Sequence, residues 1–334
     1  MNLLQNNSEI NRLQWEDLVH QSTTVSFFQT PECYDFYASL SFLKPFVFGV
    51  SENDTLVGIL CGYIISDGGP VKRYFSRRAI VPGGALLHPT ISEQALQMLL
   101  KSASNELSKK VIYIELRNYS DYSTSRPVFE EVGFCYQPHL NIHIPTPDPK
   151  TVLKGLSESK VRQLKISQRE GVEWQETTNK EDIKAFYACL KKLYKTKVKR
   201  PLFPLEFFEK LVITSFGKLI IVKYKENVIG GMACVILPDS TLYEWFVCGD
   251  ESVMKDIYPS VVATWAGIEY AAKNNIPRFD FMGAGKPDKN YGVREFKSKF
   301  GGELVEDGRF LYICNTLLFS IGRIIIENRF KLNS

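Results

Sequence analysis

The sequence predicts an α/β (α+β) protein made of two similar units, each a mixed, twisted sheet flanked by helices. Three observations predict it. A strand–turn–strand pattern occurs twice at an offset of 172 residues, so that Leu56-Val57-Gly58 falls on Val228-Ile229-Gly230. A strand, loop, short helix and closing glycine also occur twice, in "VIYIELRN…VFEEVGF" and "RFDFMGAG…EFKSKFGG". Each copy carries an amphipathic helix before that second strand. Self-similarity at a fixed long offset is the mark of a duplicated unit, and 334 residues exceed what one core usually serves.

Each element follows from local pattern. "FVFGVSENDTLVGILCGYIIS" alternates apolar and polar residues about Glu52-Asn53-Asp54, which predicts a hairpin. Residues 92–109 carry a helical apolar stripe. Gly133 then stops a short helix, as a residue free to turn left-handed does. The first unit is placed at 1–147, closed by the proline-rich "HIPTPDPK", and the second at 148–334. The second opens with a helix over 157–170 and the strand Val172-Glu173-Trp174. Helices follow around 182–194 and 205–211, then the hairpin "LIIVKYKENVIGGMACVILPD" with its turn at Glu226-Asn227. A strand over 241–247, a helix over 261–274, a strand over 278–282 and a helix from near Val293 to Gly301-Gly302 complete it. The segment 316–332 predicts an amphipathic helix with Leu317, Ile321, Ile324 and Ile325 on one side. It either packs back on the body or lies on a membrane surface.

The apolar content of 44% is that of a packed protein. Charge is uneven: residues 150–200 hold fourteen Lys/Arg against six Asp/Glu, in a chain whose net charge is +4. A basic segment in a mildly acidic body points to a local anionic partner and not to DNA coating. Seven cysteines, an odd number without a CxxC, read as thiols in a reducing compartment. With no basic n-region or apolar h-region in "MNLLQNNSEINRLQWEDL" and no apolar run of about 18 residues, a cytoplasmic protein is expected, with peripheral contact at the inner membrane face left open.

"FDFMGAGKP" resembles a phosphate loop at first sight, but Asp280 stands where the first glycine belongs and Pro287 follows Lys286. Proline has no N–H to offer a phosphate. The segment instead predicts a strand, a tight glycine exit and a helix carrying Phe296, Lys297 and Phe300. A lysine at such a junction can hold an anion or stabilise developing negative charge, or be an ordinary surface lysine. Arg162, Lys165 and Arg169 form one helical stripe with Lys160 beside it, suited to phosphate or to plain solvation. His139 and His143 lack a third ligand, so no metal is expected. Glu244, next to Tyr243 and Trp245 on an apolar strand, and Asp280 are each either a base or a satisfied core acid.

With the duplication, the basic helix and "FDFMGAG…YGVREFKSKFGG" in view, the chain resembles the FemABX-type acyltransferases, tandem-GNAT proteins that include peptidyltransferases and BioF2-like or CelD-like acetyltransferase domains. "GLSESKVRQLKISQREGVEW", "YPSVVATWAGIEYAAKNNIPRFDFMG" and "REFKSKFGG" carry the resemblance. It implies transfer of an acyl or aminoacyl group to an amine of a cell-envelope precursor or amino sugar. Lys297 and Phe296 then stand at the reaction centre, with Glu244 and Asp280 as further catalytic candidates. Lys160, Arg162, Lys165, Arg169, Tyr243 and Tyr291 are the substrate-binding candidates. No tightly bound cofactor is implied; the donor is acyl-CoA or aminoacyl-tRNA, and the acceptor an anionic small molecule or a lipid-linked one. The Q/R-x-x-G-x-G/A loop of ordinary GNAT enzymes is missing after both candidate strands. An acetyl-CoA-dependent N-acetyltransferase in polysaccharide or lipid biosynthesis is the rival enzyme, and a non-catalytic polyanion-binding module the rival of another class.

Overall fold

The chain divides into two compact units, the first taking Met1–Pro138 with the stretch from Glu306 onward and the second His139–Val305. The computed structural model describes residues 1–254 and 256–331, the side chains of 70, 71 and 324–331 excepted. In the first unit lie β1 (Asn2–Leu4), β2 (Lys44–Glu52), β3 (Thr55–Ile65), β4 (Arg78–Gly83), β5 (Leu86–Leu87), β6 (Tyr113–Asn118) and β7 (Cys135–Gln137). The second holds β8 (Leu140–Pro145), β9 (Val172–Glu176), β10 (Gly217–Tyr224), β11 (Asn227–Leu237), β12 (Thr241–Gly249), β13 (Arg278–Asp280) and β14 (Glu303–Glu306). A last strand, β15 (Arg309–Ile313), belongs to the first unit.

The first sheet runs β1-β2-β3-β4-β6-β15-β7, with β5 beside β3; the second runs β9-β10-β11-β12-β13-β8-β14. The two orders match strand for strand. Each sheet holds a parallel pair, β4–β6 in the first and β12–β13 in the second, and each is bridged by a helix, Glu93–Ser108 or Pro259–Lys273, as a parallel pair requires. The match holds only because the repeats exchange a strand. β8, expected to close the first unit, pairs with β13, and β15 enters the first sheet between β6 and β7. The boundary therefore falls at Pro138, ahead of β8, instead of at 147. The prolines follow β8 in sequence, but the open edge of β13 takes that strand, and edge pairing decides membership.

The hairpins repeat to the residue. Asn53 and Asp54 have left-handed φ of 48° and 64°; Lys225 and Glu226, 172 residues on, have 46° and 64°. Two consecutive left-handed residues make the tight turn that matches strand twist. The second turn thus sits one residue before the expected Glu226-Asn227, and Asn227 begins β11. The register slips once in each hairpin, at Val50/Ser51 and at Val222/Lys223, again 172 apart.

Each crossover helix is fixed by the face it buries. Leu96, Leu99, Leu100, Ala103 and Leu107 lie on the first sheet. The helix Pro259–Lys273 is buried on nearly every side, with Ala266, Ile268 and Ala271 in the second core. A Cβ at Gly267 would meet the Met232 side chain, so this helix lies close against β11. Burying one large aliphatic side chain is worth about 1.5–3 kcal/mol, more than any propensity term here.

The C-terminal helix Thr316–Lys331 touches the first unit through Phe319, whose ring meets Tyr113 edge-on at 5.5 Å. The side expected to dock does not: Leu317 and Ile321 are exposed, while Ile324 and Ile325 lie outside the described side chains. No described helix is long and apolar enough to cross a membrane.

Candidate active site

β12 and β13 pair at Thr241–Arg278, Leu242–Phe279 and Tyr243–Asp280, and then part. Two local features separate them. The register of β12 against β11 slips so that Glu244 opposes Cys234 and Phe246 opposes Ala233, leaving Trp245 as an extra, unpaired residue. Such a bulge bends its strand and increases its twist. On the other side β13 ends at Asp280, and Met282 takes a left-handed φ of 56° before Gly283 at 133°. That conformation costs a residue with a Cβ about 1–2 kcal/mol, so something must hold it.

Buried side chains do. Asp280 Oδ1 accepts hydrogen bonds from the Met282 N–H at 2.6 Å and Asn141 Nδ2 at 2.9 Å. Asn141 Oδ1 accepts from the N–H groups of Gly283 at 2.8 Å and Ile142 at 2.9 Å. His143 Nε2 lies 3.1 Å from Asp280 Oδ2. All three residues stand on adjacent strands, β8 and β13.

Lys297 reaches this exit loop from the helix Gly292–Ser298. Its Nζ donates to the carbonyls of Phe281 at 2.8 Å and Gly283 at 3.0 Å, and lies 3.2 Å from Glu244 Oε1. Those three acceptors match the three hydrogens of an ammonium. Glu244, one residue before the bulge, is 5% exposed, and its Oε2 has no hydrogen-bond partner among the described residues. Burial pushes its carboxyl up to about 7, against the pull of Lys297. A carboxyl poised near neutrality can take a proton, and a desolvated cation beside parted strands can stabilise an oxyanion. Glu244 and Lys297 therefore meet, as two of the four catalytic candidates, while Asp280 reaches Glu244 only through its charge. Asp280 differs from the other two: it is fully buried and spent on shaping the loop.

The fourth, Phe296, packs on Phe300 at 5.3 Å and faces away into a different contact. Lys160 Nζ stands 3.8 Å from the Phe296 ring centroid and 5.0 Å from that of Phe300. Lys160 is only 4% exposed, and burial, with the nearby charge of Lys299, lowers its pKa to about 8. It is a core cation and not a member of the exposed stripe, because the helix Glu158–Arg169 turns this side toward Phe296. Arg162, Lys165 and Arg169 are exposed as expected, with Arg169 3.3 Å from Glu170. Tyr243 is fully buried, which takes it out of reach of a substrate in solution, and burial pushes its phenol up. Tyr291 is exposed at the start of the Lys297 helix; its ring covers Gly285, where a Cβ would meet it at 2.7 Å.

Sequence reasoning missed Asn141 and the bulge at Trp245. Asn141 carried a signal, a polar residue between apolar ones in "LNIHIP". Trp245 carried none, since a bulge is a relation between two strands. Among the described residues no group of three or more His, Cys, Asp or Glu could hold a metal ion.

The model of the FemAB family matches residues 213–325, the segment that holds Glu244 and Lys297. Among solved structures the chain is similar to FemX, at 14% identity and a TM-score of 0.71, covering 96% of this chain and 99% of that one. It is similar to a tandem GNAT protein from the clavulanic acid biosynthesis pathway, at 11% identity and a TM-score of 0.61, over 94% and 98% of the two chains. L-PGS from Bacillus licheniformis matches at 11% identity and a TM-score of 0.56, over 94% and 97%. No curated protein matches the sequence. At these identities the structural likeness establishes the tandem GNAT fold.

Proposed function

We propose that this chain, a FemAB-type tandem GNAT acyltransferase, joins an acyl or aminoacyl group to an amine where β12 and β13 part in its second unit. One observation carries the reading: the buried Lys297–Glu244 pair sits at that parting, inside the segment the family matches. The acceptor is an amine of a cell-envelope precursor or amino sugar.

The chemistry asks little of side chains once both substrates are aligned. The neutral amine nitrogen attacks the acyl carbon, the C–N bond forms and the carbonyl oxygen becomes an oxyanion. Glu244 takes the amine proton. Its negative charge is then gone, the pull on Lys297 weakens, and one ammonium N–H becomes available to the oxyanion. Collapse breaks the bond to the donor oxygen or sulfur, and the proton returns from Glu244 to that leaving group. Asn141 and Asp280 act through the loop they hold, as positioning residues.

The missing coenzyme A loop favours aminoacyl-tRNA, and the exposed Arg162, Lys165 and Arg169 offer phosphate contacts. Either donor is made in the cytoplasm, where we place the reaction. Thermal shift with acetyl-CoA and with aminoacyl-tRNA separates the donors, because only a bound one raises stability. The reading expects stabilisation by one donor and an amide product with an amino-sugar or wall-precursor amine. Stabilisation by acetyl-CoA alone selects the N-acetyltransferase. Binding of polyanions without product from any donor overturns catalysis.

A further inference from the structure

One end of the first unit's sheet carries two exposed apolar elements and a cluster of cations. At this end β4 and β6 begin, at the paired residues Arg78 and Tyr113, and β15 ends, at Ile313 opposite Tyr113. The segment before β4 reads "GGPVKRYFSRR", without one acidic residue. Its neck is fastened: Arg78 grips Asp67 at 2.9 and 3.2 Å, and Ser76 Oγ accepts from the Asp67 N–H and donates to the Lys72 carbonyl, each at 2.7 Å. Its tip is not covered. Tyr74 and Phe75 are 52% and 44% exposed, their rings edge to face at 5.2 Å, with the Arg77 guanidinium 4.5 Å above Tyr74. Lys72, Arg73 and Arg77 form no ion pair among the described residues.

The C-terminal helix starts at the same place. The Ile112 N–H donates to the Arg77 carbonyl at 2.9 Å, and the Ile112 carbonyl accepts from Cys314 and Asn315 at 2.9 and 3.1 Å. One residue therefore ties the aromatic turn to the root of the helix. Phe319 anchors the helix on Tyr113, which leaves Leu317 and Ile321, 69% and 38% exposed, facing out.

Two adjacent exposed aromatics among unpaired cations, next to an exposed aliphatic helix face, combine the two properties an interfacial element needs. The apolar groups enter the headgroup–acyl boundary, and the cations meet anionic headgroups. Tyrosine is suited to that boundary because its ring is apolar and its hydroxyl wet.

We infer that this end of the first unit, Lys72–Arg77 together with Leu317 and Ile321, docks the protein on an anionic membrane surface. The inference is independent of the proposed acyl transfer, since no residue of the Lys297–Glu244 site takes part.

Flotation with phosphatidylcholine vesicles, and with equal parts phosphatidylcholine and phosphatidylglycerol, tests it. The wild-type chain should float with the anionic vesicles only. Tyr74→Ser with Phe75→Ser, Lys72→Glu with Arg73→Glu, and Leu317→Ser should each lower that partition, the two pairs by roughly tenfold. These positions are exposed, so unchanged circular dichroism is expected in all three variants. Equal flotation of wild type and variants, or no flotation of the wild type with anionic vesicles, overturns the inference. So does tRNA binding that is lost in Lys72→Glu with Arg73→Glu without vesicle binding by the wild type; it would assign the basic turn to nucleic acid.

Discussion

In the first unit β4 and β6 stay paired over six residues, from Arg78–Tyr113 to Gly83–Asn118; in the second β12 and β13 stay paired over three and then part. The hairpins leading into these pairs are the same to the residue. What lies past the strand ends differs in kind. In the first unit neutral groups fill the space: Gln29 Nε2 donates to the Gly83 carbonyl at 3.0 Å, Thr24 Oγ1 to the Ala85 carbonyl at 3.0 Å, and Tyr122 OH to Ala85 at 2.6 Å. In the second, pairing stops at the bulge at Trp245 and the left-handed Met282, and an ion pair stands beside the strand ends.

The half-buried Glu115 of the first unit and the buried Glu244 of the second differ as sharply. Glu115 meets two guanidiniums, Arg117 at 2.7 Å and Arg309 at 2.9 Å, which hold its carboxyl down to about 2. Glu244 meets one ammonium through one oxygen, and burial wins, raising it to about 7. The number of cations and the depth of burial together decide whether such an acid is a fixed charge or a proton acceptor. One copy of the duplicated framework keeps a closed, fully ionised arrangement; the other keeps an open one that can exchange a proton near neutral pH.

Removing the proposed proton acceptor should have the largest effect. Glu244→Gln should lower kcat by about 10²–10⁴, the range for loss of a general base, and abolish a rise in rate through pH of about 7. Stability gives the same contrast with its sign fixed. Glu244 ionises more easily unfolded than folded, so it makes stability fall as pH rises from its ordinary 4.5 to about 7. Glu244→Gln should flatten that part of the pH–stability curve. Glu115 acts oppositely: its contribution is present above 4.5 and lost as pH falls toward about 2.

A smaller effect should come from opening the closed unit. Gly83 has φ of 83°, and a Cβ there would run into Ser26 Oγ. Gly83→Ala should cost about 1–3 kcal/mol in denaturant unfolding while leaving kcat of the folded fraction unchanged. A loss of kcat instead would show that the first unit takes part in the reaction. The smallest effect on stability belongs to the exposed stripe: Arg162→Ala should change it by less than about 0.5 kcal/mol and raise KM for a phosphate-bearing donor. An unchanged KM for both donors would remove the stripe from donor binding.

The duplication, the hairpins and the crossover helices were legible because they are local and periodic. Lys297 and Glu244 were legible as candidates, since a lysine after a glycine exit and an acid in an apolar strand stand out by residue type. Their meeting was not, because it depends on where β12 and β13 part. The strand exchange was hidden for the same reason: "LNIHIP" reads equally well as an edge of either sheet, and only the partner strand decides. Lys160 shows the limit of helical spacing, which places side chains on faces without saying which face is buried.

The central claim is that bond formation occurs in the opened unit, with Lys297 meeting the developing negative charge. Single-turnover amide formation by Lys297→Ala, at saturating donor and acceptor, tests it most directly. The account predicts a rate about 10²–10³ below wild type in a chain whose circular dichroism is unchanged. A wild-type rate from that variant would contradict it and take the reaction away from the parting of β12 and β13.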